Sequence, residues 1–399
     1  MANSFPQKES NMLKVAHVMY SYLAQSETFI WQYLHSFENI YPVVIAESLQ
    51  NLDQFPLPSG KLRPIYGPRL KALQIIDHWY RRYLYQPFGY IVSHIAKRIM
   101  IKESVQMIHA HYGTIGCDYL SVASSLKIPM ITTFYGFDLS VRELINRKRR
   151  TYENLFAEGT CFLVEGPSMR DKLIALGCPE RKIRIQRIAI DLEQYRFSVR
   201  TWDGNRDIHL LFVGRFVEKK GLEYALRALA KIKNEYSFQL KIIGGGELDV
   251  KLHSLVSQLG LTDRVMWLGM QTHRKMIGEL EKCDILIQPS VTAGNGDSEG
   301  GAPTVILEAQ ACGVPVISSF HADIPYITRP GQSAFLSPER DVDTLAENIR
   351  HLFDNSEIWR LMGKSGREHV EVRHDIRKEV IYLEKIYESL ATSGREILA

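Results

Sequence analysis

The chain has 399 residues, 45% hydrophobic and 24% charged, with a formal net charge of +4. This length suits two domains of about 200 residues each, and the composition excludes a disordered, collagen-like or disulfide-framework protein. Five dispersed cysteines (Cys117, Cys161, Cys178, Cys283, Cys312) form no Cys-x-x-Cys pair, which argues against a zinc cluster and fits a reducing cytosol.

Residues 1–12 are polar, carry no basic-then-apolar signal pattern and are expected to be disordered. In the first half, β-branched and apolar runs at 13–19, 41–47, 107–111, 130–134 and 161–164 predict buried strands. Helical patterns at 27–37, 70–101, 117–126 and 167–176 lie between or beside them. A polar segment, 198–207, is the best linker candidate. The second half repeats the alternation, with strands at 209–213, 239–243, 265–268, 285–289, 314–318 and 334–336. Its helices are expected at 222–234, 247–259, 273–281, 304–312 and 342–355. Strand–helix alternation in two blocks implies two doubly wound parallel sheets, with a ligand between them beyond the carboxyl ends of the strands. No segment approaches 18 uninterrupted apolar residues, so no membrane-spanning helix is expected.

The stretch SEGGAPTVILEAQACGVPVISS, 298–319, is the most informative. Gly300 and Gly301 feed a helical segment that Pro303 starts and that Gly313 and Pro315 stop. A glycine-rich turn at a helix N-terminus presents free N–H groups and the positive end of the dipole, which suits a phosphate. Glu299 and Glu308 bracket the turn and could accept from sugar hydroxyls, so the combination suggests a nucleotide-sugar site. A second turn, GRFVEKKG, follows the first strand of this block and holds Gly214, Arg215, Lys219 and Lys220. Arginine offers a planar fork of donors and lysine a compact charge, a pair suited to two faces of a diphosphate. The triple glycine 244–246, which is not Gly-x-Gly-x-x-Gly, also follows a strand and lets backbone approach a ligand.

Together these residues resemble retaining glycosyltransferases of the GT-B fold, family 4, over nearly the whole chain. That fold is α/β, with two Rossmann-like doubly wound domains facing each other across a cleft. GRFVEKKG looks like the family's diphosphate turn, which implies that Gly214, Arg215 and Lys220 bind the donor. IIGGGEL, with Gly245, and VMWLGM look like the strands whose loops line the base pocket. CDILIQPS is similar to the strand before the donor loop of Gly300, Gly301, Ala302, Pro303 and Thr304. Glu308 matches the second glutamate of the paired-glutamate signature, implying a contact with ribose hydroxyls. QSETFI, HAHYGTIG and EGPSMRDKLIALG resemble a polysaccharide-assembly branch of the family.

Two departures stand out. Eight residues separate Glu299 from Glu308 where the family usually has seven. Either Glu299 is shifted by a one-residue bulge, or backbone groups of Gly300 and Gly301 read the sugar. In TTFYGFDLS, Tyr135 stands where many members have histidine, ahead of Gly136 and Asp138. A phenol cannot become cationic near neutral pH, although it can donate to a sugar hydroxyl.

The resemblance implies transfer on one face of the donor sugar, with the leaving diphosphate taking the acceptor proton. Arg215, Lys220 and the Gly301 N–H would stabilise that diphosphate, so neither a metal nor another cofactor is expected. Asp138, Tyr135, His111 and Glu299 are the candidate catalytic residues; for His111, a satisfied histidine at a strand end is an equal alternative. Basic and aromatic residues interleave between Arg69 and Lys102, and Arg147, Lys148, Arg149 and Arg150 add a second basic run. Such a surface suits the anionic face of a bilayer and a lipid-linked acceptor; nucleic acid is not expected.

The sequence therefore predicts an acceptor-binding domain at 1–200 and a nucleotide-sugar-binding domain at 201–372. A helix within 373–399 is expected to cross back to the first domain. The expected function is metal-independent retaining hexosyl transfer from a nucleotide sugar to a saccharide or lipid-linked acceptor. The enzyme would work in the cytoplasm, with peripheral contact to the inner face of the plasma membrane. The alternatives are a non-catalytic nucleotide-sugar-binding subunit and a nucleotide-sugar epimerase.

Overall fold

The computed structural model describes residues 12–23, 27–57, 60–65 and 90–396. Two wholly parallel sheets organise it. The first is built from β1 (Leu13–Tyr22), β2 (Ile40–Leu49), β3 (Lys61–Pro64), β4 (Met107–His111), β5 (Met130–Thr133), β6 (Cys161–Val164) and β7 (Ile183–Ile185). Its order is β3-β2-β1-β4-β5-β6-β7. The second contains β8 (Ile208–Val213), β9 (Phe238–Ile243), β10 (Val265–Gly269), β11 (Ile285–Gln288), β12 (Val316–Ser319) and β13 (Ala334–Ser337). They lie in the order β10-β9-β8-β11-β12-β13. The order reverses between β1 and β4 and again between β8 and β11. At such switch points, loops leave in opposite directions and open a crevice at the carboxyl ends of the strands.

Helices cover the faces of both sheets, because parallel strands bury both sides. The first half carries α1 (Thr28–Ser36), α2 (Tyr90–Glu103), α3 (Gly113–Leu126), α4 (Arg142–Glu158) and α5 (Pro167–Ala175). The second carries α6 (Leu222–Ile232), α7 (Asp249–Gln258), α8 (His273–Leu280), α9 (Thr304–Ala311) and α10 (Val342–Asp354). α11 (Trp359–Arg373) and α12 (Ile376–Glu396) follow. α6 shows the logic: Leu222, Ala225, Leu226, Leu229 and Ile232 line its buried side, while Glu223 and Arg227 pair on the outside at 2.8 Å. α9 is different. Its residues from Val305 to Ala311 are all buried, so the polar Glu308 inside it must find partners.

α12 returns to the first half. Val380, Leu383, Ile386 and Tyr387 enter the hydrophobic core of the first sheet. Glu384 accepts from the backbone N–H groups of Glu38 and Asn39 at 2.8 and 2.9 Å, just past the end of α1. Among the described residues no helix is long and apolar enough to cross a membrane.

Four elements depart from the sequence reading. β3 and β7 are edge strands of four and three residues, too short to leave an apolar run. α4 was not expected, because only Tyr152, Leu155 and Phe156 of its 17 residues are buried; the basic run Arg147 to Arg150 therefore lies on a helix. α11 completes the second half. Of the helix expected at 70–101, residues 70–89 lie outside the described residues, as do most of the interleaved aromatics; Arg98 and Lys102 are exposed on α2.

Candidate active site

The switch point of the second sheet opens into a cavity of about 640 Å³. Three elements deliver its charged residues. β8 ends at Val213 and the chain turns through Gly214 and Arg215 to a single 3₁₀ turn, Glu218–Lys220, ahead of α6. β11 is followed by the long loop that ends on α9, where Pro303 occupies the cap position and Thr304 is the first helical residue. The cavity is lined by Gly214, Arg215, Lys220, Pro303, Thr304 and Glu308, and the loop after β10 closes one side. Trp31 and Asp53 contribute from the first half, so both halves form the walls.

Arg215 is exposed and makes no side-chain hydrogen bond or ion pair among the described residues. Lys220 Nζ lies 2.7 Å from Glu299 Oε2, and Ser290 Oγ donates to Glu299 Oε1 at 2.7 Å. Burial works against the Glu299 carboxylate, yet the charges of Lys220 and Lys219 and these hydrogen bonds outweigh it, so its pKa falls below the ordinary value. Lys219 is buried and donates to Asp297 Oδ1 at 3.0 Å and to the Ser298 carbonyl at 2.9 Å, which fixes the loop. The Glu299 N–H donates to His321 Nε2 at 3.1 Å, and His321 Nδ1 lies 2.6 Å from Glu339 Oε1. The carboxylate keeps the proton on Nδ1, which leaves Nε2 free to accept.

Glu308 Oε1 accepts from Tyr195 Oη at 2.9 Å and from His273 Nε2 at 2.8 Å. Burial opposes the charged imidazole of His273, but the hydrogen bond and charge of Glu308 overcome it and raise its pKa above the ordinary value. Gly244 lines the cavity, whereas Gly245 does not; the Gly245 carbonyl accepts from the Phe216 N–H at 2.9 Å.

The donor loop also meets the first half. Gly300 has φ +80°, and a side chain there would collide with backbone of Tyr135 and Gly136. Gly301 lies against the Glu165 carboxyl, which leaves no room for a Cβ. Ala302 packs into the hydrophobic cluster beside α9. From the second half, Asp323 Oδ1 accepts from the Ser168 N–H at 2.7 Å, capping α5 across the interface. Burial raises the Asp323 carboxyl to about 6. Burial, with the nearby Asp323 and Asp138, raises Glu165 well above the usual carboxylate range.

Asp138 is fully buried, and both of its oxygens hold backbone. Oδ1 accepts from Tyr135 and Gly136 at 3.1 and 2.9 Å, and Oδ2 from Gly113 at 2.8 Å. Burial raises its carboxyl to about 6 against the pull of these N–H groups. The geometry thus makes Asp138 the clamp of the Tyr135–Gly136 turn. Tyr135 Oη lies 2.8 Å from His111 Nδ1, and His111 Nε2 lies 3.1 Å from His17 Nδ1. Both line a second, smaller cavity of about 30 Å³, bounded also by Glu165. His109 completes a buried trio, its ring nitrogens 2.5 Å from Tyr387 Oη and 2.6 Å from Thr133 Oγ1. Burial lowers the pKa of all three histidines, His111 to about 3, so they stand neutral. The ring centroids of His109 and His111 are 4.5 Å apart at 20°, and those of His17 and His111 are 5.4 Å apart at 25°. His17 and His109 are tilted by 45°, and one ring nitrogen from each of the three lies within 4.8 Å of the others. His17 and His111 bond to each other, whereas His109 is held by Tyr387 and Thr133.

The structure therefore gathers Gly214, Arg215, Lys220, Pro303, Thr304 and Glu308 at one cavity. Glu299 lies one contact behind Lys220, and Gly300 and Gly301 lie at the contact between the halves. Tyr135 and His111 sit at the smaller cavity. Sequence reading missed Tyr195, His273 and His321, and gave Glu165 no role. The only signal was Glu165 within EGPSMRDKL; the others are joined to their partners only by folding.

Two doubly wound parallel sheets with the large cavity between them are the GT-B architecture of nucleotide-sugar enzymes. Residues 201–369 match the family Glycosyl transferases group 1, and residues 49–194 match Glycosyltransferase Family 4. The chain is 30% identical over 337 residues to the putative colanic acid biosynthesis glycosyltransferase WcaL of Escherichia coli, covering 81% of this chain and 82% of that one. It is 33% identical over 248 residues to the amylovoran biosynthesis glycosyltransferase AmsK of Erwinia amylovora, covering 62% and 60%. Among solved structures, Anabaena HepE in complex with UDP and glucose superposes with a TM-score of 0.75 at 16% identity, over 94% of this chain and 100% of that chain. Sucrose-phosphate synthase from Thermosynechococcus elongatus gives 0.74 at 17%, over 96% and 100%. The chain belongs to the family 4 glycosyltransferases.

Proposed function

We propose that this protein is a retaining hexosyltransferase that takes a sugar from a nucleoside diphosphate donor and adds it to a saccharide or lipid-linked acceptor during polysaccharide or glycolipid assembly. The observation that carries the reading is the convergence of Arg215, Lys220 and Glu308 on one cavity at a sheet switch point. The names of WcaL and AmsK support the polysaccharide context. The UDP and glucose bound to HepE support a nucleotide-sugar donor.

In the proposed reaction the bond from the sugar C1 to the diphosphate oxygen breaks and a bond from C1 to the acceptor oxygen forms on the same face. The acceptor proton passes to the departing diphosphate. Negative charge builds on that diphosphate, and the Arg215 guanidinium and Lys220 ammonium offset it without a metal. Lys220 has three donors, and Glu299 engages one. Glu308 accepts from the ribose. The walls contributed by the first half exclude water, which limits donor hydrolysis. We further propose a cytoplasmic enzyme that touches the inner membrane face through the basic run on α4, where an anionic surface would draw it.

The test is the anomeric configuration of the product formed in the presence of EDTA, read by nuclear magnetic resonance. A product with the donor's configuration is expected. An inverted product, or turnover that requires an added divalent cation, would refute this mechanism.

A further inference from the structure

We infer that Tyr195 and His273 are positioning residues that hold Glu308 so that the cavity selects a ribonucleotide over its 2′-deoxy counterpart. The inference rests on the reading of this cavity as a nucleoside diphosphate site.

Glu308 brings a carboxylate to the cavity wall. Its terminal torsion is soft and roughly two-fold, so an unsupported glutamate presents either oxygen over a wide arc. Glu308 is not free to do so. The Tyr195 hydroxyl and the His273 imidazole both donate to the same oxygen, Oε1, at 2.9 and 2.8 Å. Among the described residues the side-chain hydrogen bonds of Glu308 both end on Oε1, and Glu308 lines the cavity. Two donors on one oxygen lock the carboxyl plane and assign the other oxygen to the ligand. The Glu308 side chain is 4% exposed, so a ligand hydroxyl would meet it in a largely desolvated setting. A buried acceptor in a site built for a hydroxyl discriminates strongly against a ligand that lacks one, because the acceptor is then left unpaired.

The two donors come from structurally distinct places. Tyr195 lies in the segment that joins the two sheets; it is buried, and Arg367 holds its carbonyl at 3.2 Å. His273 opens α8, whose cap is Thr272, and the cavity wall runs through both residues. Burial disfavours charge on His273, but Glu308 reverses this, which strengthens the bond to Oε1. Oriented carboxylates of this kind depend on the shell behind them.

The experiment is calorimetric titration of the full chain with UDP, GDP and ADP and with their 2′-deoxy forms. It is run on the wild type, Tyr195→Phe, His273→Gln, and the double variant Tyr195→Phe/His273→Leu. The wild type is expected to bind its preferred ribonucleotide about 10- to 100-fold more tightly than the 2′-deoxy form. The double variant is expected to lose at least about tenfold of that ratio through weaker binding of the ribonucleotide alone, since only this form uses the oriented oxygen. Tyr195→Phe keeps the ring packing and loses part of the ratio, while His273→Gln can still donate and retains most of it. An unchanged ratio in the double variant, or equal weakening of both forms, would overturn the inference and leave the donor-site reading standing. If the wild type binds none of the six nucleotides, the donor-site reading fails and the inference fails with it.

Discussion

Replacing Lys220 by alanine is expected to lower kcat/KM by about 10²- to 10³-fold, the usual loss when a preorganised partner of developing negative charge is removed. Lys220 sits on the cavity wall beside Glu308, where a departing diphosphate would carry its charge. The variant also disturbs the ground state. Glu299, whose side chain is 5% exposed, would keep Ser290 but lose its nearest cation. Stranding a buried carboxylate costs roughly 3–5 kcal/mol, so the thermal midpoint should fall as well. The two effects separate in the double variant Lys220→Ala/Glu299→Gln, which should recover most of the stability and none of the activity. The sign of the pH dependence follows from the lowered Glu299 pKa. Its contribution to stability is present above the reference value of 4.5 and is lost as pH falls through the lower folded value, a loss absent from the double variant. Recovery of full activity by the double variant would show that Lys220 serves only the loop.

The second large effect is expected at Gly301. A Cβ there would fall on the Glu165 carboxyl, an atom of the opposite half that is itself packed beside Tyr135. The methyl cannot be accommodated by a side-chain swing alone, because the Glu165 Cβ, which no rotation moves, would lie only 2.8 Å from it. Gly301→Ala should therefore push the donor loop away from the first half. A displacement of about 1 Å at a reacting site costs on the order of 10²-fold in rate. Shortening the obstacle supplies the control. In Gly301→Ala/Glu165→Gly, which removes the Glu165 Cβ as well as its carboxyl, the clash is gone, and kcat/KM should rise at least about tenfold above the single glycine variant, a coupling that a double-mutant cycle reads directly. Strict additivity of the two substitutions would mean that Glu165 and Gly301 act independently.

How much of this could be read in advance depended on the range of the interaction. Alternation of apolar runs and helical stretches is local, so both parallel sheets were legible, and so were the turn after β8 that carries Arg215 and Lys220 and the loop after β11 that leads into the helix of Glu308. Edge strands β3 and β7 were not, since a strand with a single neighbour and three or four residues needs no apolar run. α4 escaped because its polar composition hides a contact face of only three residues. Side-chain pairing was the least legible. The partners of Glu308 lie 113 and 35 residues away in sequence, and no pattern in the chain links them. Asp138 is similar. Its place beside Gly136 suggested chemistry, but its bond to the Gly113 N–H, 25 residues away, could not be read from the sequence. Of the two glutamates, Glu299 turns toward Lys220 and Ser290 while Glu308 lines the cavity.

The most direct test of the central claim is the release of free nucleoside diphosphate from a panel of UDP-, GDP-, ADP- and dTDP-sugars, with EDTA present and with or without extracted membrane lipids. Release from one donor, raised by the lipid and unaffected by the chelator, is the predicted result. Nucleotide binding with no release from any donor, whatever acceptor is supplied, would contradict it and mark the chain as a binding subunit instead.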